Sequence, residues 1–498
     1  MIKNFKWIVI ASVALASCSQ DVEDTSGIQP EVVVSKGSAD FSKYVALGNS
    51  LTAGFSDGAL FKEGQKNSYA KLMADQFATV GGGEFTIPYM NDNTGGLLFF
   101  GNFNAAFAPR LVLEKFENGL PVIKSLAQAP FNRFPTTEVT NILTGSYNNM
   151  GVPGAKSFHL LAPGYGNPTG ILTIPPTANP YFVRFASSAS TSVVADAMAQ
   201  NPTFFSLWIG NNDVLGYATT GGDGSDPITP PTGAPGVGFD GTYTALVTTL
   251  TSGGAKGVVA NIPDVASIPF LTTVGYNPIP ELTEAQANQL NAGYAAYNGG
   301  LNAAKDLGLI SEAEQIQRKI VFTAGKRRPV VMVDEYLTDI SVLNPGLIKM
   351  RLTTPEDYIV LSSQGVSASA HLGLGNGTQF PLADRWVLSK KEVEEIRTAT
   401  TAYNETIKGL ATANGLAFVD AHAVLNQLKN GGILFDTYHF TNQYVQGGAF
   451  GLDGVHLTAR ANAYIANKFL EAIEKTYGSS FKKYKPQDFP FSYPSFLP

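Results

Sequence analysis

Short apolar runs alternate along this chain with segments in which apolar residues recur at helical spacing. Continuous apolar runs suit parallel strands that are covered on both faces, and they lie at 43–47, 203–209, 258–262, 329–333 and 416–419. Helical spacing is clearest from Tyr69 to Phe77 and from Ile465 to Ile473. The alternation predicts an α/β fold, a three-layer α/β/α sandwich around a parallel sheet.

Two further helices are predicted by their first residues. Thr283 is followed three residues later by Gln286, and Ser389 by Glu392. In such a capping box, each of the two side chains accepts a hydrogen bond from the other residue's backbone N–H. We expect helices to begin at both places.

Long segments rich in Gly, Pro and Thr interrupt this pattern at about 85–145, 215–240 and 335–385. Segments of this length in a compact domain are typical of lids, insertions or small subdomains. Since no clean linker divides the chain, we interpret them as insertions in one domain that spans 41–480. The aromatic, Pro-rich residues 481–498 are predicted to pack along its surface as a C-terminal tail.

The N-terminus is typical of a processing signal. Lys3 and Lys6 precede an apolar run, 7–15, which is too short to span a bilayer as a helix. Small residues then lead to Cys18, the only cysteine of the chain. The sequence from Leu15 to Cys18, LASC, resembles the lipobox of bacterial lipoproteins, so 1–18 is predicted to be a lipoprotein signal, and the resemblance implies lipidation of Cys18. The alternative is an ordinary secretory signal with an incidental cysteine.

The polar, acidic residues 19–40 cannot bury a core and are predicted to form a flexible tether. The lipoprotein resemblance implies a membrane anchor at Cys18 and a Gram-negative-type cell envelope. We expect the outer membrane, with the protein either periplasmic or exposed at the cell surface.

Composition adds one exclusion. The 498 residues are 44% hydrophobic and 15% charged, with a formal net charge of -6. Such a balance provides no basic face for nucleic acid. We therefore expect no nucleic-acid partner.

A serine and a distant Asp–His pair are the candidate catalytic residues. Ser50 directly follows a predicted strand, and open α/β sheets bind their ligands at such strand ends. His456 follows Asp453 by three residues, so the carboxylate can orient one ring nitrogen while the other takes a proton from a serine. Alone, either motif would more commonly be a turn or a surface pair.

Two strand-end segments could complete such a site. Asn212, in the sequence GNND, can present a side-chain N–H to a developing oxyanion, and Gly154, in GVPG, can present a backbone N–H. A structural turn is the alternative for each.

Together these segments resemble, in chain order, the conserved blocks of the SGNH/GDSL hydrolase family: GNSLTAGFSDG, NMGVPGAKS, GNND and FGLDGVHLTARANAYIAN. The resemblance implies a flavodoxin-like SGNH fold. It makes Ser50 the nucleophile, His456 the general base and Asp453 its orienting partner. It also implies an oxyanion hole made by the N–H of Ser50, the N–H of Gly154 and the amide of Asn212.

The chain departs from the family at Asn49, where an aspartate is usual, and in the long separation of Ser50 from Asp453. The sequence from Asp436 to His439 has the same Asp–His spacing but lacks the following helix. The remaining histidines lack the close spacing of metal ligands: His159, His371, His422 and His439. We expect neither a metal nor a cofactor.

The resemblance implies hydrolysis of carboxylic esters through an acyl-enzyme. The substrate could be a lipid ester, a small ester or an acylated glycan. Two alternatives stay open: a non-catalytic surface lipoprotein that binds glycans, and an acyltransferase with the same catalytic residues.

Overall fold

The computed structural model describes residues 33–117, 120–361 and 375–497. Contacts divide the chain into units 1–33 and 34–498, and the second unit contains the central sheet and every predicted catalytic residue. The predicted lipidation site Cys18, residues 19–32 of the predicted tether, and His371 lie outside the described residues.

A five-stranded parallel sheet forms the centre of the fold. In their order across the sheet, its strands are β6 (Asn149–Gly151), β1 (Tyr44–Gly48), β7 (Phe204–Trp208), β8 (Lys256–Ala260) and β15 (Ala417–Val419). The second strand in chain order lies on one side of the first, and the later strands lie on the other side. The order therefore reverses between β1 and β7, which opens a crevice at their carboxyl ends.

Helices of very different length surround and connect the strands. Within the described residues they are α1 (Ser50–Ala53), α2 (Lys62–Lys66), α3 (Tyr69–Ala78), α4 (Pro180–Val183), α5 (Val193–Met198), α6 (Asn212–Thr219), α7 (Phe239–Thr251), α8 (Pro269–Thr272), α9 (Glu284–Asp306), α10 (Glu312–Arg318), α11 (Lys390–Ala413), α12 (Ala421–Lys429) and α13 (Ala459–Tyr477). Both predicted capping boxes are present, at the starts of α9 and α11.

Strand β7 shows that both faces of the sheet are covered. The Trp208 ring meets Tyr69 of α3 edge to face and Phe469 of α13 at a tilt, so one face packs on these two helices. Phe205 and Leu207 point to the other face and are also fully buried. There, α7 contacts both α5 and α11, α5 contacts β1, and α11 contacts β8 and β15. The parallel sheet with flanking helices confirms the predicted α/β class.

Outside the central sheet, the described residues form two-stranded antiparallel sheets. These are β2 (Leu98–Phe99) with β3 (Asn102–Phe103), β4 (Leu111–Glu117) with β5 (Leu120–Ser125), β9 (Ile279–Leu282) with β10 (Gly325–Arg328), β11 (Val331–Val333) with β12 (Met350–Leu352), β13 (Tyr358–Ile359) with β14 (Val387–Leu388), and β16 (Ile433–Phe435) with β17 (Tyr438–Phe440). The apolar run 329–333, predicted as a strand, is thus an antiparallel strand outside the central sheet.

The largest insertion lies between β8 and α11 and has a hydrophobic core of its own. Tyr294, Tyr297 and Leu301 of α9 pack there with Val331 and Met332 of β11. The prediction of an insertion at 335–385 was therefore too narrow. Helical periodicity shows that α9 buries one face, but it does not show which partner that face meets.

The other boundaries also shift. The predicted insertion 215–240 includes most of α6, so its irregular part begins at Thr220. The assignment of 34–40 to the tether is wrong, because Ser35 pairs with Ser480 and Ala39 is buried. The tail packs as expected: Phe481 and Tyr493 are both buried. No helix within the described ranges combines the length and apolar character needed to cross a bilayer.

Strand β6, which the apolar pattern missed, is short and lies against α1. A Cβ at Gly151 would come within 2.3 Å of the Ala53 nitrogen and 2.7 Å of the Thr52 carbonyl carbon. Both neighbours are backbone atoms and cannot rotate away. The close approach of β6 to the residues after β1 therefore requires glycine at 151.

We predict that Gly151→Ala lowers the free energy of unfolding by about 1–3 kcal/mol, the usual cost of overpacking. Thermal unfolding followed by calorimetry measures the shift. Gly409→Ala is the matched control, since a Cβ there, inside helix α11, meets open space. Equal midpoints for the two variants would contradict the close-packing argument.

Candidate active site

Ser50 stands at the carboxyl end of β1, as the first residue of α1. The side chain of Asn49 caps this helix by accepting a hydrogen bond of 3.0 Å from the Leu51 N–H. Asparagine and aspartate are comparable N-caps, so the departure at position 49 preserves this local geometry while removing a charge. At the first helical position, the Ser50 N–H has no intrahelical acceptor.

The structure brings Ser50, His456 and Asp453 into one hydrogen-bonded line. His456 Nδ1 lies 2.8 Å from Asp453 Oδ2, and His456 Nε2 lies 2.9 Å from Ser50 Oγ. An ionised carboxylate only accepts, so Nδ1 carries the hydrogen and Nε2 accepts from the serine hydroxyl. This arrangement can move a proton from Ser50 to His456.

Asp453 is held as a carboxylate. Burial by itself raises its pKa, but attraction to His456 and hydrogen bonds from the backbone N–H groups of Val455 and His456 outweigh burial and lower the pKa to about 2. Gly58 donates a further backbone hydrogen bond of 2.8 Å to Oδ2. Asp453 therefore stays charged at neutral pH and can stabilise a protonated His456.

Residues 56–58 dock onto the loop that holds Asp453 and His456. Besides the Gly58 N–H bond to Asp453, Ser56 Oγ donates to the Leu457 carbonyl at 3.0 Å. The Leu452 N–H donates to Asp57 Oδ1 at 2.7 Å. These bonds join residues 395 to 401 positions apart in the chain and hold the Asp–His loop close to Ser50.

Asp57 is a buried acid that no sequence pattern singled out, although it lies within GNSLTAGFSDG. Burial raises its pKa to about 7. The Leu452 N–H bond lowers the pKa, the nearby charge of Asp453 raises it, and Arg110 and His456 lower it. The Asp57 carboxyl group thus accepts a hydrogen bond from the loop that holds Asp453 and His456, and its pKa of about 7 lies close to neutral pH.

Gly154 follows β6 and Asn212 follows β7, the two strands that flank β1. Gly154 follows β6 with φ +80°, a backbone conformation that favours glycine. Asn212 Nδ2 donates to the Ala155 carbonyl at 2.9 Å, so its amide lies beside the Gly154 segment with a second N–H to spare. Asp213, fully buried, accepts bonds of 2.8 and 2.7 Å from the N–H and hydroxyl of Ser157.

A pocket beside Ser50, termed the inner pocket, has a volume of about 100 Å³. Ser50, Asn212 and His456 are among its lining residues. The rest is mainly apolar, and helix α12 contributes Ala421, Val424, Leu425 and Leu428. These four residues have the spacing of one helical face.

A larger cavity, termed the outer chamber, also contacts His456 and has a volume of about 770 Å³. Its walls come from two insertions, through Phe103 and Ala106 from one and Phe270 and Trp386 from the other. His456 lines both cavities, whereas Ser50 lines only the inner pocket.

The other candidate residues within the described ranges make contacts outside the line of Ser50, His456 and Asp453. Asp436 and His439 belong to the hairpin of β16 and β17, and the His439 ring contacts the Gly431 carbonyl. His159 stacks on Tyr165, and burial lowers its pKa to about 4. The described residues contain no group of three or more His, Cys, Asp or Glu that could hold a metal ion.

Comparisons of the chain with models of known protein families, with curated proteins and with solved structures returned no match.

We predict that Asp57→Asn shifts the pH dependence of thermal stability. Because burial raises the folded-state pKa of Asp57, its contribution to stability is present at low pH and is lost as pH rises through about 7. Asparagine keeps an acceptor for the Leu452 N–H but carries no charge. The Tm of the variant relative to wild type should therefore rise between about pH 5 and about pH 8. The exposed Asp488→Asn is the control, and parallel curves for both variants would disprove the shift.

Proposed function

We propose that this chain is a serine esterase of the SGNH/GDSL type that hydrolyses carboxylic esters. The observation that carries the proposal is the line from Asp453 through His456 to Ser50, with hydrogen bonds of 2.8 and 2.9 Å. It lies at the crevice where the strand order reverses, which is the usual ligand site of open α/β sheets.

The reaction follows from the proton positions. Ser50 Oγ attacks the ester carbonyl carbon while its proton passes to His456 Nε2, and the Asp453 carboxylate stabilises the imidazolium. The bond from carbon to the alcohol oxygen breaks, and that oxygen takes the proton from His456. Water then attacks the acyl-enzyme, gives a proton to His456, and releases the carboxylic acid as Ser50 regains a proton.

Three donors are proposed for the oxyanion: the N–H of Ser50, the N–H of Gly154 and the side-chain amide of Asn212. The Ser50 N–H has no intrahelical acceptor, and Asn212 retains a second N–H. The buried Asp213, through Ser157, supports the segment that carries Gly154. Donors of this kind act on charge that develops only in the transition state.

We further propose that the central sheet and its helices form the three-layer sandwich of SGNH hydrolases. Support comes from the reversed strand order and from the chain order of the four sequence segments. The insertions then form the walls of the outer chamber.

An acyltransferase with the same residues is the second candidate. The outer chamber favours it, because about 770 Å³ beside His456 is room for an acceptor alcohol in place of water. Product analysis with added alcohol acceptors separates transfer from hydrolysis. A purely binding role rests on Asn49 alone, and the helix cap made by Asn49 weakens that inference.

The lipoprotein proposal concerns Cys18. We propose that its thiol is acylated and anchors the protein at the outer membrane. Labelling with an alkyne fatty acid should mark the full-length protein and not Cys18→Ser. Equal labelling of both would remove Cys18 as the anchor and return weight to an ordinary secretory signal.

We predict that Ser50→Ala abolishes hydrolysis of p-nitrophenyl acetate and butyrate, since no other group in the line can form the acyl-enzyme. A fluorophosphonate probe should label wild type and not the variant. Ser42→Ala, at an exposed position, is the matched control and should keep full activity. Equal turnover in wild type and Ser50→Ala would exclude this mechanism.

We predict that Asn212→Ala lowers kcat by ~10²–10³, the usual effect of losing one oxyanion donor, while KM changes little. Steady-state kinetics on p-nitrophenyl butyrate measures both constants. An unchanged kcat would remove Asn212 from the oxyanion hole, and an unchanged Tm would show that the variant is folded.

A further inference from the structure

The inner pocket and the outer chamber share Val455 and His456 in their linings, whereas Ser50 lines only the inner pocket. This difference can separate the two halves of an ester. We propose that the inner pocket takes a short acyl group and that the outer chamber takes a bulky, uncharged alcohol. This inference rests on the proposed esterase function and defines its substrate class.

The positions of Ser50 and His456 assign the halves. The acyl group stays bonded to Ser50 Oγ after the alcohol has left, so it must occupy the cavity that contains Ser50. The alcohol oxygen must receive its proton from His456. The outer chamber contains His456 but not Ser50, which matches the leaving-group side.

The size of the inner pocket limits the acyl group. An apolar cavity of ~150 Å³ holds benzene, so about 100 Å³ corresponds to about four carbons. Val424 and Leu425 of α12 line the pocket with apolar side chains. Acetyl to butyryl groups fit this space, and a palmitoyl chain exceeds it.

The outer chamber defines the alcohol. Its described lining is rich in aromatic rings, with Phe103, Phe134, Phe270 and Trp386 among them. Asp453 and His456 are the only ionisable side chains in that lining. An anionic alcohol would find no cation there except a protonated His456, and it would face the Asp453 carboxylate. A sugar or a glyceride satisfies both conditions.

The decisive experiment varies the two halves of the ester independently in the soluble form that lacks residues 1–18. The acyl series is 1-naphthyl acetate, butyrate and palmitate, and the alcohol series is ethyl butyrate and 1-naphthylmethyl butyrate, whose alcohols are similar leaving groups. We expect kcat/KM at least tenfold higher for butyrate than for palmitate, and at least tenfold higher for 1-naphthylmethyl than for ethyl butyrate. Either preference reversed would overturn the corresponding half of the inference.

Two variants assign each preference to its cavity. Val424→Phe fills the inner pocket and should lower the butyrate-to-acetate ratio of kcat/KM at least tenfold, without changing the ratio of 1-naphthylmethyl to ethyl butyrate. Ala106→Trp, at an exposed position on the chamber wall, should lower the ratio of 1-naphthylmethyl to ethyl butyrate at least tenfold, without changing the butyrate-to-acetate ratio. Ala313→Trp, exposed on α10 and outside both linings, is the matched control. A crossed pattern would reverse the assignment.

Two further substrate comparisons test the charge of the alcohol and its chemical source. A ring-sulfonated naphthyl butyrate should react at least tenfold more slowly than 1-naphthyl butyrate, and equal rates would overturn the uncharged class. Methyl 6-O-butyrylglucoside and tributyrin distinguish sugar from glyceride. Either one exceeding ethyl butyrate supports the inference, and neither doing so overturns it.

Failure of the two ideas is distinguishable. If no ester in these series shows turnover that is lost in Ser50→Ala, the proposed esterase function fails. If Ser50-dependent turnover exists but neither variant moves its ratio, only the division into two cavities fails.

Discussion

The contact between residues 56–58 and the loop 451–457 is the constraint on which the rest of the site depends. It consists of backbone and side-chain hydrogen bonds, among them Gly58 N–H to Asp453 and Leu452 N–H to Asp57. Packing of α3 against α13 already brings the two ends of the chain together, and this contact fixes the Asp–His loop beside the segment that follows Ser50. The sheet places Ser50 at a strand end, and this contact brings the Asp–His loop within hydrogen-bond distance of it.

The loop 451–457 also links the site to the insertion between β8 and α11. The Gly454 carbonyl accepts a bond from the Phe270 N–H, at the start of the insertion between β8 and α11. Trp386 packs against both the insertion's own hydrophobic core and the main core, and Phe270 belongs to the main core, so both residues are anchored where they line the chamber beside His456. The central sheet thus carries the proposed chemistry, and the insertions define the space that a substrate would occupy.

Electrostatics around the line of three residues are unequal. Asp453 is buried yet keeps a pKa near 2 because His456 and backbone N–H groups surround it. Asp57, buried close by with fewer donors, has its pKa raised to about 7. The two neighbouring carboxyl groups therefore differ in pKa, because attraction to His456 and several hydrogen-bond donors outweigh burial at Asp453 but burial prevails at Asp57. Asp57 also accepts the hydrogen bond from the Leu452 N–H that holds the Asp–His loop.

By itself, the sequence determined the local features. Continuous apolar runs predicted β1, β7, β8 and β15, and capping boxes predicted the starts of α9 and α11, because both signals depend on neighbouring residues. Short motifs also singled out Ser50 and Asp453 with His456. Tertiary structure decided what depends on distant contacts: the small, polar strand β6, the antiparallel pairing of 331–333, the packing of 34–40 and the two cavities. No local pattern encodes them, since each arises where segments far apart in the chain meet.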